Sequence, residues 1–450
     1  MAEFTGSDFG ALTRQNKIHL VEVPLDQLVI PKRELRVHPP EQVDNIARSI
    51  KKFGWISPIV IDENRTVIAG IARIRAAKQL GLSSAPAVQV EHLSPVQVRA
   101  YRIADNKLAE AASWEMSALQ IESVELIGLG IDPVDLGFPP GELDVLLHTD
   151  PAADLDDNIP EKPSAPTSRL GDIWVIGQHR LVCGDSLRLQ TYTALLGDLP
   201  VDAVFTDAPY NVKIDKNVCG LGRVKHDEFV QGSGELSPEE FWSFLRSVHD
   251  RLAENTKPGG IIFSCMDWRS ISQLIEAGKS SGLDLINLTV WDKGTGGMGS
   301  LYRSQHELIA VFKKPGEAHT NNVQLGKYGR NRTNVWTYAG MNTGGKKRDA
   351  LLKLHPTVKP VALVADAIKD VTKRSELVLD CFGGSGTTMI AAEETGRRAA
   401  LIELDPKYCD VIITRMREAF GLEATLADTG QAFDEVTAAR TSLAQDEEAA

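Results

Sequence analysis

Seven short apolar runs, separated by stretches of helical periodicity, fill the region from Arg180 to Leu404 and restrict what this chain can fold into. The runs are 180–183, 202–206, 260–265, 285–291, 308–312, 377–380 and 400–404. Helical spacing of apolar residues fits 238–252, 271–280, 361–372 and 387–395. Strands that alternate with helices in this way imply a doubly wound α/β sheet. Ligands in such sheets sit at the carboxyl ends of strands, and Asp185, Asp207, Asp380 and Glu403 each fall at or just after one of those predicted ends.

Two of the strand ends carry chemistry. Asp207-Ala208-Pro209-Tyr210 closes the run Val201–Thr206 and brings an acid, backbone carbonyls and an aromatic ring to one spot, which is equipment for holding a planar amine. An exocyclic base amine is a poor nucleophile because its lone pair is delocalised into the ring. The Asp207 carboxylate and the Ala208 carbonyl could each accept one N–H and localise that pair, while Tyr210 stacks on a base drawn out of the duplex and Pro209 stiffens the turn. The second end is Leu377–Asp380, which runs into Cys381-Phe382-Gly383-Gly384-Ser385-Gly386-Thr387-Thr388 and then a helix. Gly383, Gly384 and Gly386 permit a tight turn and close backbone approach to a nucleotide-like ligand, with Thr387 expected to cap the helix. Glu403 follows Asp380 by 23 positions, about the spacing at which an acid reaches ribose hydroxyls. Together the two ends suggest methylation of a base amine. An NAD site is the rival reading of the glycine turn, but it leaves Asp207–Tyr210 without a role.

The two motifs resemble the D-P-P-Y and F-x-G-x-G signatures of the DNA amino-methyltransferases that use S-adenosylmethionine and modify adenine N6 or cytosine N4. His355-Pro356-Thr357-Val358-Lys359-Pro360 is similar to that family's H-P-T-x-K-P element. The catalytic motif precedes the cofactor motif, as in the family's β class, with the target-recognition segment between them at about 212–354. The resemblance spans roughly 169–421 and implies a Rossmann-like S-adenosylmethionine-dependent methyltransferase sheet. It implies further that Phe382 contacts the cofactor, that Asp380 lies in the cofactor site and that Asp185 meets the cofactor adenine amine; Lys359 is expected to help close the cofactor pocket, and His355 reads as structural because no carboxylate partner stands near it in the sequence. Alanine replaces the family proline at position 208, but a backbone carbonyl is what the chemistry needs there. Aspartate at the first motif position favours adenine N6, because the N4 enzymes commonly carry serine. The alternatives are an N4-cytosine methyltransferase, or a DNA-binding protein whose methyltransferase half is vestigial.

Ahead of this region, Ile18–Ile30 alternates as a strand, a helix opens at Pro39-Pro40-Glu41, Ile56–Ile61 and Thr66–Gly70 read as strands, and a helix spans 72–80. Gly70, Arg73, Ala76, Ala77, Leu80 and Gly81 resemble the G-H-x-R-x-x-A-A-x-x-L-G pattern of the ParB-like nuclease domain, and Arg102–Leu108 resembles its r-x-A-D-N-k-l segment. Ile71 stands where that family has histidine and no paired acids replace it, so the expectation is a smaller α+β domain that binds DNA or a nucleotide without hydrolysing it. The implied layout is a ParB-like domain over 1–149, a proline-rich linker over 150–168, the methyltransferase domain over 169–421, and an acidic, largely disordered tail over 422–450.

A net charge of −12 argues on its face against a polyanion partner, but seven acids against Arg440 after Gly421 account for half of it. Between Asn322 and Lys353 seven basic residues stand against one acid, with Tyr328, Trp336 and Tyr338 interleaved. Lys327, Arg330, Arg332, Lys346, Lys347 and Arg348 therefore form the expected DNA-facing surface. The five cysteines are scattered without zinc spacing, and no run is long enough to span a bilayer, which points to free thiols, no metal and a cytoplasmic protein. DNA is the expected partner, with a nucleotide at the ParB-like domain and a homodimer as further candidates.

Overall fold

A computed structural model describes residues 18–109, 114–147, 159–211, 234–296, 301–323, 332–339 and 358–449, divided into two compact units, 1–139 and 140–450. The first holds a four-stranded sheet of β1 (Ile18–Pro24), β2 (Ile59–Asp62), β3 (Val67–Ala69) and β4 (Ser84–Val90), in the order β1-β4-β2-β3. Val23, Ile59, Ile61, Val67, Ile74, Ala85 and Ala87 form its core. Gly70 heads the helix Ile71–Gln79 in left-handed conformation, and a Cβ there would come within 2.8 Å of Ile59, which explains glycine at that turn.

The second unit is built on ten strands: β5 (Ile173–Ile176), β6 (His179–Cys183), β7 (Val201–Thr206), β8 (Thr256–Met266), β9 (Asp284–Asp292), β10 (His306–Lys313), β11 (Val335–Thr337), β12 (Leu377–Asp380), β13 (Arg398–Glu403) and β14 (Ala424–Leu426). Their order is β11-β9-β10-β8-β7-β12-β13-β6-β5-β14. The central strands β8, β7, β12, β13 and β6 are parallel, while β10 runs antiparallel to both β8 and β9. Helices Pro238–Asn255, Ile271–Ser280, Val361–Val371, Thr387–Glu394 and Pro406–Phe420 cover the sheet, and the strands are apolar on both faces as a covered parallel sheet requires. All seven predicted strands of this unit are present. The doubly wound α/β expectation stands, widened by antiparallel strands at both edges.

Three boundaries differ from the expected layout. The first unit ends at 139, not 149, because the helix Pro140–Leu146 packs into the second. There Asp144 receives both terminal nitrogens of Arg397, at 2.7 and 2.6 Å, with both side chains excluded from water. The described end of the expected linker, 159–168, also lies against this unit: Ile159 packs with Val411, and the Asp410 carboxylate accepts the backbone N–H groups of Thr167 (2.5 Å) and Ser168 (2.9 Å). The expected disordered tail contains β14, which pairs with β5, and the helix Phe433–Ala449. Phe433 meets the Trp174 ring edge-on at 5.2 Å, and Arg440 binds Asp172 and the Thr167 carbonyl. Phe433 and Val436 form a narrow buried apolar stripe next to Asp434 and Glu435, and the charge count concealed that stripe. No helix among the described residues is long and apolar enough to cross a membrane.

Candidate active site

β7 and β12 are parallel neighbours, with Ala203 opposite Val378 and Val204 opposite Leu379, so the two strand ends expected to carry the chemistry emerge side by side. β10 starts where the parallel strands stop, because it runs antiparallel to β8, and this brings Glu307 to the same edge. β9 ends there too, delivering Trp291 and the following Lys293. Lys359, just before the helix Val361–Val371, reaches into the same place.

These residues form one cage. The Asp207 carboxylate accepts the Tyr210 hydroxyl at 2.7 Å on Oδ1 and the Lys359 ammonium at 2.5 Å on Oδ2. Lys359 Nζ lies 3.0 Å from Glu307 Oε2, and the Tyr210 hydroxyl lies 3.1 Å from that same oxygen. Lys293 pairs with the other Glu307 oxygen, and both lysines stand over the Trp291 ring, at 4.7 Å for Lys293 and 5.7 Å for Lys359. Lys359 itself is only 5% exposed, and a buried ammonium survives only with such partners.

The two acids titrate differently. Burial raises the Asp207 carboxyl, the Lys359 ammonium opposes that rise, and the nearby Glu307 charge adds to it. Burial alone would raise Glu307 as well, but Lys359 and Lys293 outweigh it and hold Glu307 at about 2. The same two carboxylates raise Lys359 against its own burial, so it stays charged. Burial and the adjacent Asp207 and Glu307 charges keep the Tyr210 hydroxyl protonated.

Asn211 fixes the turn that presents Tyr210. It adopts a left-handed backbone conformation (φ 55°), uncommon for a residue with a side chain, and its amide binds the Leu236 carbonyl at 2.8 Å and the Gly234 N–H at 3.0 Å. Ala208, between Asp207 and Pro209 in this turn, is buried.

On the neighbouring strand the glycine turn is tied to β13: Gly383 donates to the Ile402 carbonyl at 2.9 Å, and Gly384 donates to Glu403 at 2.7 Å. Gly384 and Gly386 are left-handed (φ 51° and 83°), and a Cβ on Gly386 would press on Ile412 at 3.0 Å. Glu403 also accepts the Asp405 N–H at 2.8 Å, which leaves part of its acceptor capacity unused, and burial lifts it to about 7. Asp380 is raised to about 7 by burial too, but its oxygens take the Thr388 hydroxyl at 2.6 Å and the Phe382 N–H at 3.1 Å, so it shapes the turn. Asp185 follows β6 and accepts the Leu187 N–H at 2.9 Å. Phe382 faces the Phe244 ring at 6.0 Å.

Three expectations change. Thr387 caps nothing: Gly386 is the N-cap, and Thr387 is a buried first helical residue within 3.4 Å of Arg415. Lys359, assigned to the cofactor pocket, lies instead on Asp207 and Glu307. Arg332, assigned to DNA, pairs with Asp366 (2.9 Å) and Asp370 (2.7 Å), donates to the Tyr338 hydroxyl and stacks over Trp336, joining the start of β11 to the helix Val361–Val371. Lys327, Arg330, Lys346, Lys347, Arg348 and His355 lie outside the described residues. Glu307 was missed because the carboxyl-end rule looks at where strands finish, whereas an antiparallel strand contributes its beginning; Lys293, just after the end of β9, satisfies that rule but stood alone there with no motif to mark it. His306-Glu307 ahead of an apolar run was the signal available. Among the described residues no cluster suited to a metal occurs, and Cys183, Cys265, Cys381 and Cys409 are buried free thiols.

Comparison with known proteins follows the division of the chain. The family described as DNA methylase matches residues 201–414, and the family described as ParB N-terminal domain matches residues 11–107. The Type II methyltransferase M.ScaI of Streptomyces caespitosus is 30% identical over 263 residues, 52% of this chain and 79% of that protein. The ParB-like nuclease domain-containing protein YnaK of Escherichia coli strain K12 is 38% identical over 81 residues, 18% of this chain and 93% of that protein. Among solved structures, the M1.HpyAVI–SAM complex is similar over 52% of this chain and 98% of that chain, at 19% identity and a TM-score of 0.36.

Proposed function

The chain belongs to the DNA methylase family of N6 and N4 methyltransferases, with a ParB N-terminal domain ahead of the methylase region, and on that premise we propose that it methylates adenine N6 of a flipped-out base in DNA, with S-adenosylmethionine as the methyl donor. The observation that carries this reading is the adjacency of Asp207 and the glycine turn on the neighbouring strands β7 and β12. An amine held by the first faces a ligand seated on the second.

The cofactor site fits a nucleoside with a charged tail. At the left-handed Gly384 a Cβ would meet no atom nearer than the Phe382 carbonyl oxygen at 3.9 Å, which leaves room for a ligand to approach the backbone closely. Glu403 keeps acceptor capacity for hydroxyl donors, and the Phe382 ring borders the turn. S-adenosylmethionine, when bound there, supplies an electrophilic sulfonium methyl group.

Asp207 and the Ala208 carbonyl each accept a hydrogen bond from one amine N–H, localising the nitrogen lone pair and favouring the positive charge that develops on that nitrogen. Tyr210, whose hydroxyl is anchored to both Asp207 and Glu307, offers its ring to the extruded base. Holding the nucleophile in place removes an orientation cost that water would leave in the barrier. The ParB-like unit contributes DNA affinity or site choice, since Ile71 occupies its expected histidine position.

The test is product analysis. Unmethylated DNA is incubated with the protein and S-adenosylmethionine carrying a deuterated methyl group, then digested to nucleosides for mass spectrometry. Labelled N6-methyladenine is expected. Labelled N4-methylcytosine would move the reading to the other base, and the absence of any labelled nucleoside would refute it.

A further inference from the structure

Two carboxylates share one buried lysine at the place assigned to the target amine, and they share it unequally. Lys359 Nζ is 2.5 Å from Asp207 Oδ2 and 3.0 Å from Glu307 Oε2. The other Asp207 oxygen holds the Tyr210 hydroxyl, so the acceptor edge that an incoming amine needs is already covered by a positively charged nitrogen. Resting on the methyltransferase reading above, we propose that Lys359 occupies the seat of the target amine in the base-free protein and is handed over to Glu307 when the base enters, so that Lys359 and Glu307 are positioning residues that gate the pocket.

The geometry suits a handover. The ammonium already lies within reach of both carboxylates, so a small swing exchanges one ion pair for the other. Lys293 on the far oxygen of Glu307 keeps that acid ionised and ready, consistent with its depressed pKa. Two acids and two lysines form the cage, and the exchange conserves its charge balance. A lysine suits the task because its ammonium is a compact charge with rotatable donors on a flexible stem, whereas arginine would grip the carboxylate through a rigid fork. If Lys359 stayed on Asp207 during transfer, a nitrogen gaining positive charge would sit beside an ammonium, which opposes the reaction. Tyr210 gives the exchange a shared reference point, since its hydroxyl contacts both acids.

The experiment is a double-mutant cycle on the full chain, using unmethylated amplified genomic DNA and tritiated S-adenosylmethionine, with cofactor affinity measured separately by titration. In E307Q the lysine loses its alternative partner, so KM for DNA rises about tenfold while cofactor affinity is unchanged. In K359M the seat is vacant, so KM for DNA does not rise. The acid limb of the K359M pH–rate profile moves to higher pH, because Asp207 loses the cation that opposed its upward shift. In the double variant KM returns toward the wild-type value. A lysine that only braces the fold would raise KM in both single variants, with additive effects in the double, and that result overturns the proposal. Where K359M fails to fold, K359R decides: a raised KM with cofactor binding intact supports the handover, and an unaltered KM overturns it. A wild-type protein that transfers no methyl group sinks the methyltransferase reading and this inference together. Normal wild-type transfer with an unchanged E307Q sinks the inference alone.

Discussion

Gly384 donates its backbone N–H to the Glu403 carboxylate at 2.7 Å, so the acid ending β13 is held by the turn that follows β12. The two elements assigned to the cofactor therefore act as one piece, and damage to either is expected to reach the other. Gly384→Val and Glu403→Ala should each weaken S-adenosylmethionine binding about tenfold or more, as measured by isothermal titration. Valine at φ 51° strains the turn and projects into the ligand space, whereas alanine removes the acceptor. Unchanged affinity in both variants would remove the cofactor from this cleft.

Glu403 and Asp380 give the ligand-free protein a characteristic pH response. Both are raised to about 7 by burial, from ordinary values of 4.5 and 3.8, so between those limits the folded state binds protons that the unfolded state has released. Their contribution to stability is present at low pH and is lost as pH rises through about 7. Melting temperature followed against pH should fall less steeply across this window in Glu403→Gln than in the wild type. Hydroxyl donors favour the ionised Glu403, so cofactor affinity should rise through the same window, and a flat affinity profile would contradict the assignment.

Asp207→Ala should lower methyl transfer by about two to three orders of magnitude, the usual loss for one preorganised polar group, while cofactor affinity stays near wild type. The two measurements separate the amine site on β7 from the cofactor site on β12 and β13. A variant that still transfers methyl at the wild-type rate would show that Asp207 does not hold the amine.

Asp144 belongs with the catalytic unit despite its position ahead of the proline-rich stretch. Its two-point pair with Arg397 is buried, and removing one partner of such a pair leaves an uncompensated charge, so Asp144→Ala should cost about 3–5 kcal/mol in denaturant unfolding. A fragment cut between Pro139 and Pro140 should fold and bind cofactor, whereas one starting at Arg169 should be markedly less stable. Equal stability of the two fragments would show that the helix Pro140–Leu146 contributes nothing.

Neutralising Lys346, Lys347 and Arg348 should lower DNA affinity and flatten its salt dependence, with about 0.9 of a unit of slope lost for each phosphate contact removed. Binding measured across a salt series reads this directly. An unaltered slope would place the phosphate contacts elsewhere in the chain.

Much of the site was legible because it obeys a local rule. Asp207–Tyr210 and Cys381–Thr388 follow apolar strand runs directly, and a parallel sheet places such ends together whatever the intervening loops do. The cage around Asp207 was not legible, since Lys293, Glu307 and Lys359 are spread across three elements and only the antiparallel entry of β10 brings Glu307 to the same edge. Arg332 shows the opposite error: in the sequence it stands in a basic run, and in the fold Asp366 and Asp370 neutralise it.

The acidic C-terminus carries the same lesson. Its composition reads as disorder, yet Phe433 and Arg440 find Trp174 and Asp172 more than 250 residues earlier in the chain. The fold class, the two strand ends assigned to the chemistry and the order in which they occur could be read from the chain alone, because periodicity and turn residues act over a few neighbouring positions. Which charges are neutralised, which acids are pushed toward their protonated form and where the units divide emerge only in the folded chain, because burial and Coulomb attraction depend on distance in space and not on separation along the chain.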